Sequence, residues 1–121
     1  MSTKHESRWL EREDFADVTV VRLRLPEVPH EDSIRAVFDP IYSLVSDVGR
    51  NKLVLNLATV DFLPSMALAK LVMLNRKAQA AGGRLVLSHL SPTVQQSLEI
   101  THLAESFAIR ATEQEALQSF S

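Results

Sequence analysis

Residues 51–90 constrain the fold most tightly. Lys52-Leu53-Val54-Leu55-Asn56-Leu57 places apolar side chains on consecutive positions. Such a run has no solvent side, so it suits a strand buried on both faces of a parallel sheet. Residues 58–65 then cross to a helix that begins at Met66-Ala67-Leu68-Ala69, runs to Ala81 and stops at Gly82-Gly83. Glycine supplies the left-handed cap there without a Cβ penalty. Arg84-Leu85-Val86-Leu87 returns as a second apolar strand. Strand, helix and strand with short joints make a parallel β-α-β unit with a right-handed crossover. Anything at the carboxyl end of the first strand faces the start of the helix, and Ser65 sits at that junction. The helix is apolar almost all round over residues 66–74, which predicts burial on most of its sides.

The flanking sequence extends this unit. Trp9 to Glu13 predicts a strand, residues 14–17 a turn, and Val18 to Leu25 a second strand, together an antiparallel hairpin. Pro26 and Pro29 end it, because proline cannot donate to a ladder. From Glu31 the period becomes helical, with Ile34, Val37, Phe38, Ile41, Leu44, Val45 and Val48 on one stripe. Pro40 lies inside that stripe. The unbroken phase predicts one kinked helix over residues 31–48, with Gly49 ending it. Downstream, Ser91-Pro92 starts a third helix carrying Val94 and Leu98 inward. Phe107 to Arg110 is long enough only for a last strand. Thr112-Glu113-Gln114-Glu115 has capping-box spacing and leads a short final helix. The order is β-β-α-β-α-β-α-β-α: an α/β domain with a mostly parallel sheet, one antiparallel edge strand and packed helices.

At 121 residues the chain has room for one core, so residues 9–121 are expected to form a single domain and residues 1–8 a flexible amino terminus. A net charge of −2 and a pI near 6.1 leave no basic footprint for nucleic acid. Cysteine is absent from the sequence, which removes disulfide and thiol chemistry and fits a reducing compartment. The polar start Met1-Ser2-Thr3-Lys4-His5-Glu6 has no signal-peptide core. With no apolar run approaching a membrane span, the expected location is the cytoplasm. His5, His30, His89 and His102 have no metal-ligand spacing, and no nucleophile–base pairing stands out, so neither a metal, a cofactor nor an enzyme is expected.

The order of elements and the residues within them resemble a STAS domain, the family of anti-sigma factor antagonists and sulfate-transporter tails. The resemblance rests on Leu53–Leu57, then Val60-Asp61-Phe62-Leu63, then a serine opening an apolar helix. It continues through Ala81-Gly82-Gly83-Arg84-Leu85-Val86-Leu87, Ser91-Pro92, Leu98 to Leu103, Phe107 and the helix at residues 112–116. It covers about residues 9–120. The family's phosphorylation motif is typically Asp-Ser-Ser/Thr-Gly-Leu. Here the matching positions read Pro64-Ser65-Met66-Ala67-Leu68, which retains the serine and the leucine and replaces the acid, second hydroxyl and glycine. Glu27 stands loosely where the family carries an acid after its second strand.

What the resemblance implies is a protein-binding regulator. Its partner would be an anti-sigma factor that is also a serine kinase, or a related signalling protein. Ser65 would be the phosphoacceptor, with Leu63, Pro64, Met66, Lys70, Glu27 and Asp61 as interface candidates, and ATP would belong to the partner. The alternative is a STAS scaffold without a switch, serving as a homo-oligomer subunit or binding a small ligand at the same rim. From the residues alone, Ser65 at a helix start also reads as a cap, its oxygen accepting a free backbone N–H. Asp61 reads as a turn residue that could orient Ser65 or a cation.

Overall fold

Leu53, Val54 and Leu55 in β4 (Lys52–Asn56) are all fully buried, as a run apolar on both sides requires. Because successive strand side chains point to opposite faces, they serve two separate cores. Leu53 and Leu55 join Val21, Leu23, Leu85 and Leu87 on one face, while Val54 joins Val18, Val20 and Val86 on the other. The computed structural model describes residues 3–6, 9–26 and 29–120.

Around β4 the chain builds β1 (Thr3–Glu6), β2 (Leu10–Phe15), β3 (Val18–Leu23), α1 (Glu31–Ser46), α2 (Ser65–Ala80), β5 (Arg84–Ser88), α3 (Pro92–Ile100), a 3-10 turn (Ala104–Ser106), β6 (Ala108–Arg110) and α4 (Glu113–Gln118). The strands lie side by side in the order β1-β2-β3-β4-β5-β6. The β1–β2 and β2–β3 pairs are antiparallel; β3–β4, β4–β5 and β5–β6 are parallel. From Leu10 onward this is the expected order. Within the stretch expected to be flexible, Thr3–Glu6 adds a further antiparallel strand, pairing from Thr3↔Asp14 to Glu6↔Glu11. Its residues are polar and carry no period, so nothing in their pattern announces it.

Three helices cover the first face. Ile34, Val37, Phe38, Ile41, Leu44 and Val45 of α1 pack there with Ala67, Leu71 and Leu74 of α2 and Val94 and Leu98 of α3. Among the described residues only α4 and the turn after it cover the second face, with Ala116 buried and Leu117 and Phe120 packed against it. α1 runs through Pro40 as one helix; both Pro40 and Ala36, whose carbonyl would have accepted its missing N–H, are exposed to solvent. The expected burial of residues 66–74 holds on most sides: Ala67, Leu71 and Leu74 are core, and Met66, Leu68 and Val72 pack against it. Ala69 and Met73 alone face solvent in this stretch, on the side of α2 turned away from the sheet, where no other described element packs. At the far end of α2, Gly82 adopts φ +85°. Gly83 is required for another reason: a Cβ there would stand 1.9 Å from the Asn51 carbonyl oxygen, close to where Arg84 N–H donates to that same oxygen (2.9 Å).

Candidate functional site

The joint between β4 and α2 is held at several points before it reaches Ser65. Leu57 N–H donates to the Ser88 carbonyl (3.0 Å), and Val60 N–H to the Leu57 carbonyl (3.0 Å). The Asn56 side-chain oxygen accepts from Ala58 N–H (2.9 Å). The Thr59 hydroxyl donates to the Leu23 carbonyl (2.7 Å), pinning the joint to the end of β3. Val60 and Leu63 then drop into the core, and the two residues between them, Asp61 and Phe62, are pushed outward. Phe62 is 56% exposed and Leu63 only 2%.

This inverts one expectation. Leu63, an interface candidate from sequence, is core; the large apolar side chain on the surface is its neighbour Phe62. A second correction concerns the helix start. The cap is Pro64 (φ −62°, ψ 161°), and Ser65 is the first helical residue. Proline's ring holds φ in the range a helix entry needs but offers no side-chain acceptor. Ser65 therefore does not act as the cap. It is exposed, and among the described residues its hydroxyl has no hydrogen-bond partner.

The remaining candidates divide. Pro64 and Met66 are half-buried, and Met66 packs on the edge of the core. Asp61 is exposed and makes no hydrogen bond to Ser65. Lys70 leans away from the serine: its ammonium lies 5.6 Å from the centroid of the Tyr42 ring, and the Tyr42 hydroxyl donates to its carbonyl (2.7 Å). Glu27 lies outside the described residues. Beside the joint is a cavity of about 140 Å³ lined by Leu25, Pro26, Thr59, Val60, Asp61 and Phe62. Ligand pockets usually measure about 300–1,000 Å³, so this one has room for a side chain rather than a nucleotide.

Electrostatics at the rim favour an anion at Ser65. α2 has no side-chain cap and no acid in its first turn, so its leading N–H groups and the positive end of its dipole are open. The other helix starts along this rim are capped or acidic. Glu31 and Asp32 open α1, the Ser91 side chain accepts from Val94 N–H in α3, and the Thr112 side chain accepts from Glu115 N–H in α4.

A polar cluster that sequence reasoning missed lies on the second sheet face. Arg22 makes two hydrogen bonds to Glu113 (2.6 and 2.9 Å), one to Glu13 (3.0 Å) and a close one to Glu11. Asn56 also donates to Glu113 (2.8 Å), and the Glu113 N–H donates to His89 Nε2 (3.1 Å). Burial pushes the Glu113 carboxyl up, but Arg22 and Asn56 outweigh it and hold the group below the usual carboxylate range. Glu113 thus anchors the start of α4 on the sheet. Its partners sit 24 to 91 residues away in sequence, and no local spacing could have brought them together. Among the described residues no cluster of His, Cys, Asp and Glu is arranged to hold a metal ion, and no helix is long and apolar enough to cross a membrane.

Fold and rim together define an α/β domain whose candidate site is a surface with an offered hydroxyl, not a cleft. The chain belongs to the STAS domain family, whose model matches residues 7–116. Among solved structures it is similar to an anti-sigma factor antagonist from Mycobacterium paratuberculosis, at 24% identity and TM-score 0.76 over 98% of this chain and 93% of that one. It is also similar to an anti-sigma-factor antagonist (STAS) domain protein from Planctomyces limnophilus, at 23% identity and TM-score 0.78 over 91% and 96%. A third similar structure is the Bacillus cell fate determinant SpoIIAA in its phosphorylated form, at 19% identity and TM-score 0.68 over the whole of both chains. At these identities the likeness is one of fold.

Proposed function

We propose that this STAS domain is a non-enzymatic, cytoplasmic protein-binding regulator of the anti-sigma factor antagonist type. In this reading it is switched off when a partner serine kinase phosphorylates Ser65. The observation that carries the reading is the exposed, unpartnered Ser65 hydroxyl at the first position of a helix with neither cap nor acid. A phosphate there adds about −1.5 to −2 charges, and the helix dipole favours it by roughly 0.3–1 kcal/mol. The domain stays folded and its surface changes. Beside an exposed Phe62 and a half-buried Met66, such a charge opposes the docking of an apolar partner surface. Similarity to SpoIIAA, which has a phosphorylated form, supports the same assignment.

The test is isothermal titration of the kinase partner with wild type and Ser65→Asp. A loss of at least about tenfold in affinity, equivalent to about 1.4 kcal/mol, is the expected result. Equal affinities would remove the switch. The scaffold reading then takes its place, with Phe62 and the neighbouring cavity as the docking surface.

A further inference from the structure

α1 and α2 lie side by side, joined by the Tyr42 hydroxyl on the Lys70 carbonyl. Both bury their inner faces in the same core, so both outer faces look away from the sheet. Those outer faces carry opposite charge. α2 has three cations, Lys70, Arg76 and Lys77, and no acid anywhere along it. On α1, Glu31, Asp32 and Asp39, with Asp47 at its end, stand against the single cation Arg35, itself paired with Glu31. Arg76, Lys77, Asp39 and Asp47 are all exposed, in a chain of net charge only −2. Apolar surface goes with them: Met73 on α2 is 57% exposed and Val48 just past α1 is 58% exposed.

We propose that this two-helix face is a homodimer interface, with α2 of each copy lying on α1 of the other. The fold makes the match symmetric. The two helices follow neighbouring parallel strands, β3 and β4, and return along them in the same direction. A two-fold axis along the helices exchanges α1 with α2 and preserves height, the isologous arrangement that closes as a dimer. Tyr42 and Lys70 mark one height. Six residues further along α2, about 9 Å at the usual rise, Arg76 comes level with the end of α1, where Asp47 caps the helix and Val48 follows it. Arg76 and Lys77 therefore meet Asp47 of the second copy twice over, with Met73 and Val48 between the charged pairs.

The size of the face sets the strength. Each helix has 16 residues. Two such helices about 10 Å apart cover roughly 500 Å² per copy, less than the roughly 800 Å² of a standard interface. The dimer is accordingly weak, reversible and sensitive to salt. It goes beyond the proposed switch, since it needs neither a phosphate nor a foreign partner.

Sedimentation equilibrium of the full chain at concentrations up to about 1 mM, in low and in high salt, tests the proposal. Wild type should dimerise at low salt and weaken at least about tenfold on a tenfold rise in salt. The double variants Arg76→Glu/Lys77→Glu and Asp39→Lys/Asp47→Lys should each be monomeric, while an equimolar mixture of the two should dimerise. Circular dichroism establishes that each is folded; if one is not, Met73→Asp replaces it and should abolish association. A wild type that stays monomeric overturns the proposal, as does a dimer untouched by these variants. Two folded variants that fail to pair when mixed overturn it as well. A monomeric wild type would leave the basic face of α2 for an acidic partner of another kind.

Discussion

Phe62 and Leu63 are adjacent, similar in size, and opposite in fate. Leu63 is enclosed by the core with Val60, while Phe62 stands in solvent beside Ser65. Leu63→Ala should cost about 2–4 kcal/mol of stability in urea titrations, by transfer and cavity terms together. Phe62→Ala should change stability by less than about 0.5 kcal/mol and should instead weaken partner binding. A large stability loss at Phe62 would place it in the core and remove it from the interface. The position of Ser65 at the strand–helix joint was legible in the sequence, because the apolar runs on either side bound it. Which way Phe62 and Leu63 point was not. A joint has no period, and its path is held by contacts no local pattern announces, such as the Thr59 hydroxyl on the Leu23 carbonyl. The same holds for the cap: a serine at a helix start is the expected acceptor, but Pro64 already occupies the capping position.

Among the elements, α1 was legible from its period, including its passage through Pro40, and α2 from its apolar run stopped at Gly82-Gly83. α4 was legible as a helix but not in how it is held. Six residues long, it is too short to be stable alone and depends on two anchors. Glu113 meets Arg22 and Asn56 at one end, and Arg84 meets the Ser119 carbonyl and hydroxyl at the other (both 2.7 Å), with its guanidinium 4.7 Å from the Phe120 ring centroid. The Glu113 carboxyl is held below its ordinary range in the folded state, so its contribution is present above the unfolded value, about 4.5, and is lost as pH falls through the folded one. Glu113→Ala should cost about 1–3 kcal/mol near neutral pH, leaving Arg22 short of a partner. The gap between variant and wild type should close in acid; a gap that is constant with pH would contradict this anchor.

The α1–α2 contact has the opposite dependence. Burial first, and then Asp39, push the Tyr42 hydroxyl up to about 12. A raised value means that the contact is intact below the ordinary value near 10 and is lost as pH rises through 12. Tyr42→Phe should cost about 1 kcal/mol below pH 10, and the difference should vanish in strong alkali.

For the whole molecule, the layering decides where function can lie. Three helices cover one face of the sheet and α4 packs on the other, leaving a small cavity of about 140 Å³ beside the joint and a rim of helix starts as the chemically distinctive surface. Element order was enough to place the chain in the α/β class, and the residues matched along it, from Leu53 to Ala116, carried the resemblance to the STAS family that the family model shows over residues 7–116. The sheet-wide anchoring of α4 and the opposed charges of α1 and α2 emerge only when distant residues are brought together.

A phosphate on Ser65 should leave the thermal midpoint within a few degrees, since it adds charge at an open helix terminus and displaces no core residue. Site-resolved mass spectrometry of the protein purified from its native cells, with phosphatases blocked, tests most directly the proposal that Ser65 is the phosphoacceptor. Phosphate localised to Ser65 and absent from the other serines is the predicted result. Ser65 unmodified across growth conditions in which the partner kinase is active would contradict it.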